Sequence, residues 1–349
     1  VAMRLAFALV SIALLSCSGP RQEGLQLGEE QATDKEAQIT ARMIDAIKAI
    51  SLKRNPEGEI KRFNQSKGLG CFNATFAVAT DLPTPLRQGI FATDNIYPAR
   101  IRFANATEYD DSKSDFRGMS IKLFNVPGTP LWGDPGQQDF LLNSYPALFA
   151  ANPADFLDFI EATRDDRVWL YFIRPSHLYS LKVILKGREK IDNPFAIRYW
   201  STTPYRFGED KSQAVKYSVQ PCSQPHTQTT IAKHKDFLTE VMAEQLRNET
   251  ACFDFMVQFQ QDAEAMPIEN AAVVWDEGRS PFRKVATITI ENQAFTSAEN
   301  VAACEAMTFN PWQSLAAHQP LGGINRVRKP VYSEIAKFRL AENKRRKSP

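Results

Sequence analysis

Apolar positions recur at helical spacing at Ile39, Met43, Ile47 and Ile50, with charged residues between them, and predict an amphipathic helix over about 37–52. The pattern then changes to short runs rich in β-branched and aromatic residues, at 71–79, 99–104, 119–124 and 139–142. Each run is closed by turn chemistry such as Asn125-Val126-Pro127-Gly128. That spacing is meander-like and fits an antiparallel sheet or barrel. Phe156, Phe159 and Ile160 share one face of a helix predicted over about 153–163. Residues 166–232 mix Tyr, Trp, Pro and Arg without a clear period and read as an irregular wrapping segment. A helix over 234–247, strands at 252–260 and 284–291 and a last helix over 328–343 complete an α+β chain without internal repeats.

The two ends read differently from the middle. Arg4 precedes an apolar run from Leu5 to Leu15, too short for a bilayer span and of the length of a signal-peptide core. The reading places the initiator at Met3. Leu14-Leu15-Ser16-Cys17 resembles a bacterial lipobox, in which Cys17 is acylated; a plain secretory signal and a buried helix are the alternatives, and Gly19-Pro20 stops the run abruptly. Residues 1–17 are therefore expected to be a lipoprotein-type signal and 18–36 a polar flexible tether, with the protein exported to the periplasm or anchored at the outer membrane. The basic end, 344–349, is expected to be a solvated tail.

Composition narrows the classes. The 349 residues, 43% hydrophobic and 23% charged, exclude a disordered or collagen-like chain. Forty-two Lys and Arg against 40 Asp and Glu leave +2, which asks for no nucleic-acid partner and for no membrane contact beyond a lipid on Cys17. In an oxidising compartment Cys71, Cys222, Cys252 and Cys304 have three pairings open to them, and four buried free thiols are the other alternative. The histidines, His177, His226, His234 and His318, lie far apart and form no i, i+4 metal pair. The sequence has no glycine-rich phosphate loop and no Gly-x-Ser-x-Gly elbow.

Five stretches, taken in order, carry more. Arg62-Phe63-Asn64-Gln65-Ser66-Lys67-Gly68, Ile101-Arg102-Phe103-Ala104-Asn105, Asp115-Phe116-Arg117-Gly118-Met119, Asp139-Phe140-Leu141-Leu142-Asn143 and the C-terminal Phe309-Asn310-Pro311-Trp312 with Pro320-Leu321-Gly322-Gly323 resemble the catalase core. They are similar to the small catalase-related subgroup in particular, and span roughly residues 55–343. The resemblance implies an antiparallel β-barrel of the catalase type with flanking helices, a haem-binding domain over 37–343, a buried haem b and a homo-oligomer.

It also implies roles. Arg328-Lys329-Pro330-Val331-Tyr332 fits the family's Arg-x-x-x-Tyr, in which Tyr332 is the proximal iron ligand. A phenol titrates near pH 10 in water, so a phenolate ligand needs ferric iron and a neighbouring cation, and residues four apart on a helix put Arg328 beside it. Arg62, Arg102 and Arg339 match the partners of the haem propionates, Asn143 the distal asparagine, and Phe156 a distal aromatic. Without the resemblance these are equally ordinary surface ion pairs, a surface i, i+4 pair and a core phenylalanine.

The departures bear on catalysis. Where catalases have a distal His, three residues after the first Arg, this chain has Gln65; the Ser that orients that His is Ala104, and Leu148 stands where Phe is common. An amide donates and accepts hydrogen bonds but is no general base. The expectation is a haem-dependent oxidoreductase acting on hydrogen peroxide or organic and lipid hydroperoxides, with weak catalase turnover, in which Gln65, Asn143 and Arg328 serve catalysis. The alternatives are a non-catalytic exported haem-binding or sensing protein on the same scaffold, and a fold that binds no haem.

Overall fold

The computed structural model describes residues 24–225 and 230–347. The expected signal segment, Cys17 and His226 lie outside these residues. In chain order the elements are helix α1 (Glu36–Arg54), strands β1 (Lys67–Val78), β2 (Ile96–Asn105), β3 (Arg117–Phe124) and β4 (Gln137–Asn143), helices α2 (Pro153–Arg164), α3 (Val168–Phe172) and α4 (Leu178–Gly187), and strands β5 (Tyr199–Trp200), β6 (Tyr205–Arg206) and β7 (Ala214–Pro221). Helix α5 (Phe237–Asn248), strands β8 (Ala251–Phe259) and β9 (Arg283–Ile290) and helices α6 (Ala298–Ala306) and α7 (Gly323–Lys347) follow.

The strands run in the order β5-β4-β3-β2-β1-β9-β8-β7-β6, all antiparallel, and pairing of β5 with β7 closes eight of them into a barrel. Alternation along each strand fills its interior: Phe103 and Ile101 of β2, Met119 and Ile121 of β3, Phe140 of β4, Tyr217 of β7 and Phe255 of β8 all point inward. Ring centroids lie 4.8 Å apart for Phe140–Phe255 and 5.1 Å for Phe76–Phe255, so the barrel is packed solid and carries its chemistry on the outside. A second core joins α1, α2 and α7 through Met43, Ile47, Leu157, Ile160, Val327 and Val331.

The residues read as irregular wrapping contain α3, α4 and β7, the last a full member of the barrel. Val215, Tyr217 and Val219 alternate with Lys216 and Ser218 there, a period of two short enough to be masked by its aperiodic neighbours, and in the fold both sets are buried. The expected tether is held along 24–35: the Gly28 amide donates to Gln260 Oε1 at 2.8 Å, and the Glu30 carboxylate meets Arg326 at 2.6 Å. Gly28 has φ +75°, and a Cβ there would lie 1.9 Å from the Lys211 carbonyl oxygen. The expected basic tail is instead the last turn of α7 as far as Lys347, where Arg346 donates to the Asn55 and Gly58 carbonyls at 2.8 Å.

The cysteines pair Cys71–Cys304 and Cys222–Cys252, the first tying α6 to β1 across 233 residues and the second joining the start of β8 to the residue after β7. Breaking the first by Cys71→Ala with Cys304→Ala is expected to cost about 2–5 kcal/mol. Denaturant unfolding of the oxidised protein against the double variant measures it; equal midpoints would contradict a structural role for the bridge.

Candidate functional site

The same alternation that fills the barrel turns Arg102, Ser120 and Leu141 outward, directly opposite one another on β2, β3 and β4, with Asn143 opposite Gly118 one step along. Helices α1, α2 and α7 cover this patch. Between the two layers lies a cavity of about 230 Å³. Arg62, Gln65, Arg102, Asn143, Phe156, Arg328, Tyr332 and Arg339 all line it, together with apolar side chains such as Met43, Ile47, Val331 and Ile335. All eight side chains singled out in the sequence, spread over 278 residues from position 62 to 339, thus meet at one place.

On the α7 wall, one turn of helix sets Arg328 against Tyr332. Its Nε and Nη2 donate to the phenol oxygen at 3.2 and 3.0 Å. Arg328 Nη1 also donates to Asn325 Oδ1 at 3.1 Å, and Asn325 is anchored by its amide to the Pro204 and Leu321 carbonyls. Burial pulls the Arg328 guanidinium down, but the phenols of Tyr332 and Tyr205 outweigh it and hold the group above its ordinary range. The start of α7 is fixed by Arg326, clasped by Glu30, Glu36 and Glu269 at 2.6 to 2.9 Å.

At one end of the cavity three guanidiniums gather on Glu305, two at its carboxylate and one at its backbone carbonyl. Glu305 of α6 accepts from Arg62 at 2.5 Å and lies 3.4 Å from Arg102, while Arg339 donates to the Glu305 carbonyl at 3.0 Å. Burial, then the Arg62 and Arg339 charges, bring Arg102 down to about 9. Arg339 is brought down to about 10 by burial and then Arg62. Burial works to raise Glu305, yet Arg62, Arg102 and Arg339 together hold its carboxyl below the usual glutamate range. Glu305 therefore contributes stability above the ordinary glutamate pKa of about 4, lost as pH falls through its lower folded value. Thermal melts of wild type and Glu305→Gln are expected to differ at pH 7, with wild type the more stable, and to converge well below pH 4; a constant difference would contradict the assignment.

Beyond Arg102 the barrel side of the cavity offers neutral hydrogen-bonding groups. Gln65 takes φ 55°, in the left-handed region, at a cost of about 1 kcal/mol. Its Oε1 lies 3.5 Å from the Ser120 hydroxyl, and a Cβ on Gly118 would sit 2.2 Å from its Cδ, so Gly118 makes the room for this side chain. Asn143 Oδ1 and Arg102 Nε are buried without a hydrogen-bond partner. The Phe156 ring packs 5.7 Å from Phe149, which also faces the cavity. The sequence alone assigns no role to Glu305, Ser120, Asn325 or Gly118. Ser120 was within reach of it, because strand alternation puts it outward beside Arg102, whereas Glu305 sits in a short alanine-rich helix with no pattern to announce it.

The site thus offers a phenol oxygen held by a cation, an apolar slot and an anion-binding end with more positive than negative charge. A flat apolar ligand bearing carboxylates fits that donor set, and the orphaned Arg102 Nε–H points the same way, whereas the orphaned Asn143 Oδ1 calls for a hydrogen-bond donor on the opposite wall. Among the described residues no cluster of three or more His, Cys, Asp or Glu forms a metal-binding group.

No protein-family model matches the chain. The catalase-related peroxidase of Mycolicibacterium paratuberculosis is 23% identical over 267 residues, which are 72% of this chain and 81% of that protein. Among solved structures, catalase A from Saccharomyces cerevisiae superposes with a TM-score of 0.62 at 17% identity, over 84% of this chain and 63% of that one. A bacterial catalase superposes with a TM-score of 0.65 at 16% identity, over 84% and 60% of the two chains. A fungal catalase gives 0.63 at 16% identity, over 85% and 62%. The chain spans about three fifths of the length of these catalases. The barrel with its helical cover is the catalase fold. In that fold, and in its curated relative, the chain is similar to the catalase superfamily.

Proposed function

We propose that the chain is a haem-dependent oxidoreductase, with haem b in the cavity, acting on hydrogen peroxide or on organic and lipid hydroperoxides. The observation that carries this is the pair of Arg328 hydrogen bonds to the Tyr332 oxygen, facing a cavity that ends in three arginines. Bound haem supplies the ferric centre at which a peroxide O–O bond is cleaved. Tyr332 is the iron ligand in this reading, and Arg328 favours its ionised form by holding two N–H groups on the phenolate. Arg62, Arg102 and Arg339 hold the propionates, a role suited to the planar guanidinium.

On the opposite wall, Asn143 and Gln65 bind and orient the peroxide. Neither amide changes protonation, and Ser120 supplies only a hydroxyl, so no group there moves a proton between the two peroxide oxygens as a general base. Homolytic or isomerising cleavage of an organic hydroperoxide, which makes less demand on such a base, is therefore favoured over disproportionation. The neutral lining also supports the second reading, a haem-binding protein without turnover. Full-length protein loaded with haemin and given cumene hydroperoxide and an aromatic electron donor is expected to oxidise the donor while releasing little oxygen from hydrogen peroxide. Haem binding with neither reaction would favour the second reading, and rapid oxygen release would overturn the argument from Gln65.

Export is part of the same proposal. The two cysteine pairs support an oxidising compartment. Incorporation of labelled palmitate in a bacterial host, lost in Cys17→Ala, tests anchoring at that residue.

A further inference from the structure

Thirteen large hydrophobic side chains are exposed among the described residues, and six of them fall within 168–185, on α3, α4 and the turn between them. Trp169 and Ile173, 60% and 63% exposed, are one helical turn apart. Leu178 and Leu185, 59% and 71% exposed, are two turns apart on α4, whose other side buries Ser180 and Val183. Apolar surface gathered in this way marks an interaction site more often than isolated exposed residues do.

The charges on this segment have one sign. From 167 to 187 the chain carries Arg167, Arg174, Lys182 and Lys186 and no Asp or Glu. Arg174 pairs with Asp158 at 3.2 Å, while Arg167, Lys182 and Lys186 make no ion pair among the described residues. The carboxylates just ahead, Asp165 and Asp166, are taken up by Arg164 and Lys53. Leucine and tryptophan on one side of short helices with lysine alongside suit the boundary of an anionic bilayer, where the indole ring is also favoured. The one-sign charge beside the apolar stripes favours an anionic bilayer over a protein partner, which would be matched by charges of both signs.

The inner side of the same face is joined to the cavity wall by a row of packed rings. Phe172 of α3 packs 6.2 Å from Phe159, and Phe159 packs 4.6 Å from Phe149, which lines the cavity. We infer that the α3–α4 face docks on an anionic phospholipid bilayer and that the cavity takes an apolar, bilayer-borne hydroperoxide from it. The docking stands on the surface alone; the substrate class rests on the haem reading above.

The test uses the full chain and vesicles of phosphatidylglycerol and phosphatidylcholine with brominated acyl chains. Tryptophan fluorescence is expected to be quenched, with most of the quenching lost in Trp169→Phe. The Lys182→Gln, Lys186→Gln variant is expected to partition about thirtyfold less onto these vesicles. Equal quenching of wild type and Trp169→Phe would overturn the docking, since contact would then lie elsewhere, as at the apolar first residues. So would self-association without vesicles that is abolished by Leu178→Gln with Leu185→Gln, which would make the face an interface between copies. With haemin bound, that leucine variant is expected to lose about tenfold in turnover of a hydroperoxide carried in the vesicles and to keep its turnover of dissolved hydrogen peroxide. Equal loss on both would overturn the delivery of substrate, and absence of the haem spectrum would overturn the haem reading while leaving the docking result intact.

Discussion

Tyr332→Phe is expected to lower haemin affinity by at least about 100-fold while leaving the fold intact. The substitution removes one oxygen and keeps the ring that packs on the second core beside Val327 and Val331. Arg328 retains Asn325 Oδ1 and Thr203 Oγ1 as acceptors at 3.1 and 3.3 Å, so its charge is not stranded. Only the cofactor ligand is lost. Haemin titration followed by absorbance checks this, with the melting temperature of haem-free wild type and variant as the control for folding. An unchanged affinity would remove Tyr332 from the site, and an equal collapse of both measurements would mean that the phenol is needed for folding.

Gln65→His is expected to raise oxygen release from hydrogen peroxide by about 10²–10⁴-fold, the usual worth of a positioned acid-base group. The structure refines what the sequence alone calls for. Ala104 stands where the resemblance puts the Ser that orients the distal His, but Ser120 already lies 3.5 Å from the Gln65 side chain. Histidine is among the residues that tolerate the left-handed backbone at this position, and Gly118 leaves it space. The single substitution therefore suffices in this account, and Ser120→Ala in the Gln65→His background is expected to forfeit about tenfold of the gain. Oxygen-electrode rates on haem-loaded protein decide it; no gain from Gln65→His would show that the wall at β3 and β4 does not face the reacting peroxide.

Helices α1, α2, α5 and α7, the first four barrel strands, β8 and β9 were legible because their buried faces write a period of 3.6 or 2 into the sequence, whereas the short α3, α4 and α6 carry too few turns to do so. β7 carries the alternation of Val215, Lys216, Tyr217 and Ser218 but is set between segments without a period, and β5 and β6 are too short for any period. The bounds of α7 were set too narrowly at both ends, because Gly322-Gly323 and the run of Lys and Arg look like breaks although the backbone continues through Lys347. For the site, alternation tells which side chains leave the barrel but not which of them meet. The ordered resemblance supplied that, and it could not supply Glu305, whose importance comes from three arginines remote in sequence. Cysteine pairing is likewise a tertiary contact, and three arrangements remained open until the fold brought Cys71 to Cys304.

The central claim is that the oxygen of Tyr332 ligates iron in a haem held by this cavity. Resonance Raman spectroscopy of the full chain saturated with haemin, excited near the charge-transfer absorption of a ferric phenolate, tests it most directly. Tyrosinate ring modes enhanced in wild type and absent in Tyr332→Phe are the expected result. A saturating haem complex without those modes, or with the same modes in both proteins, would contradict it.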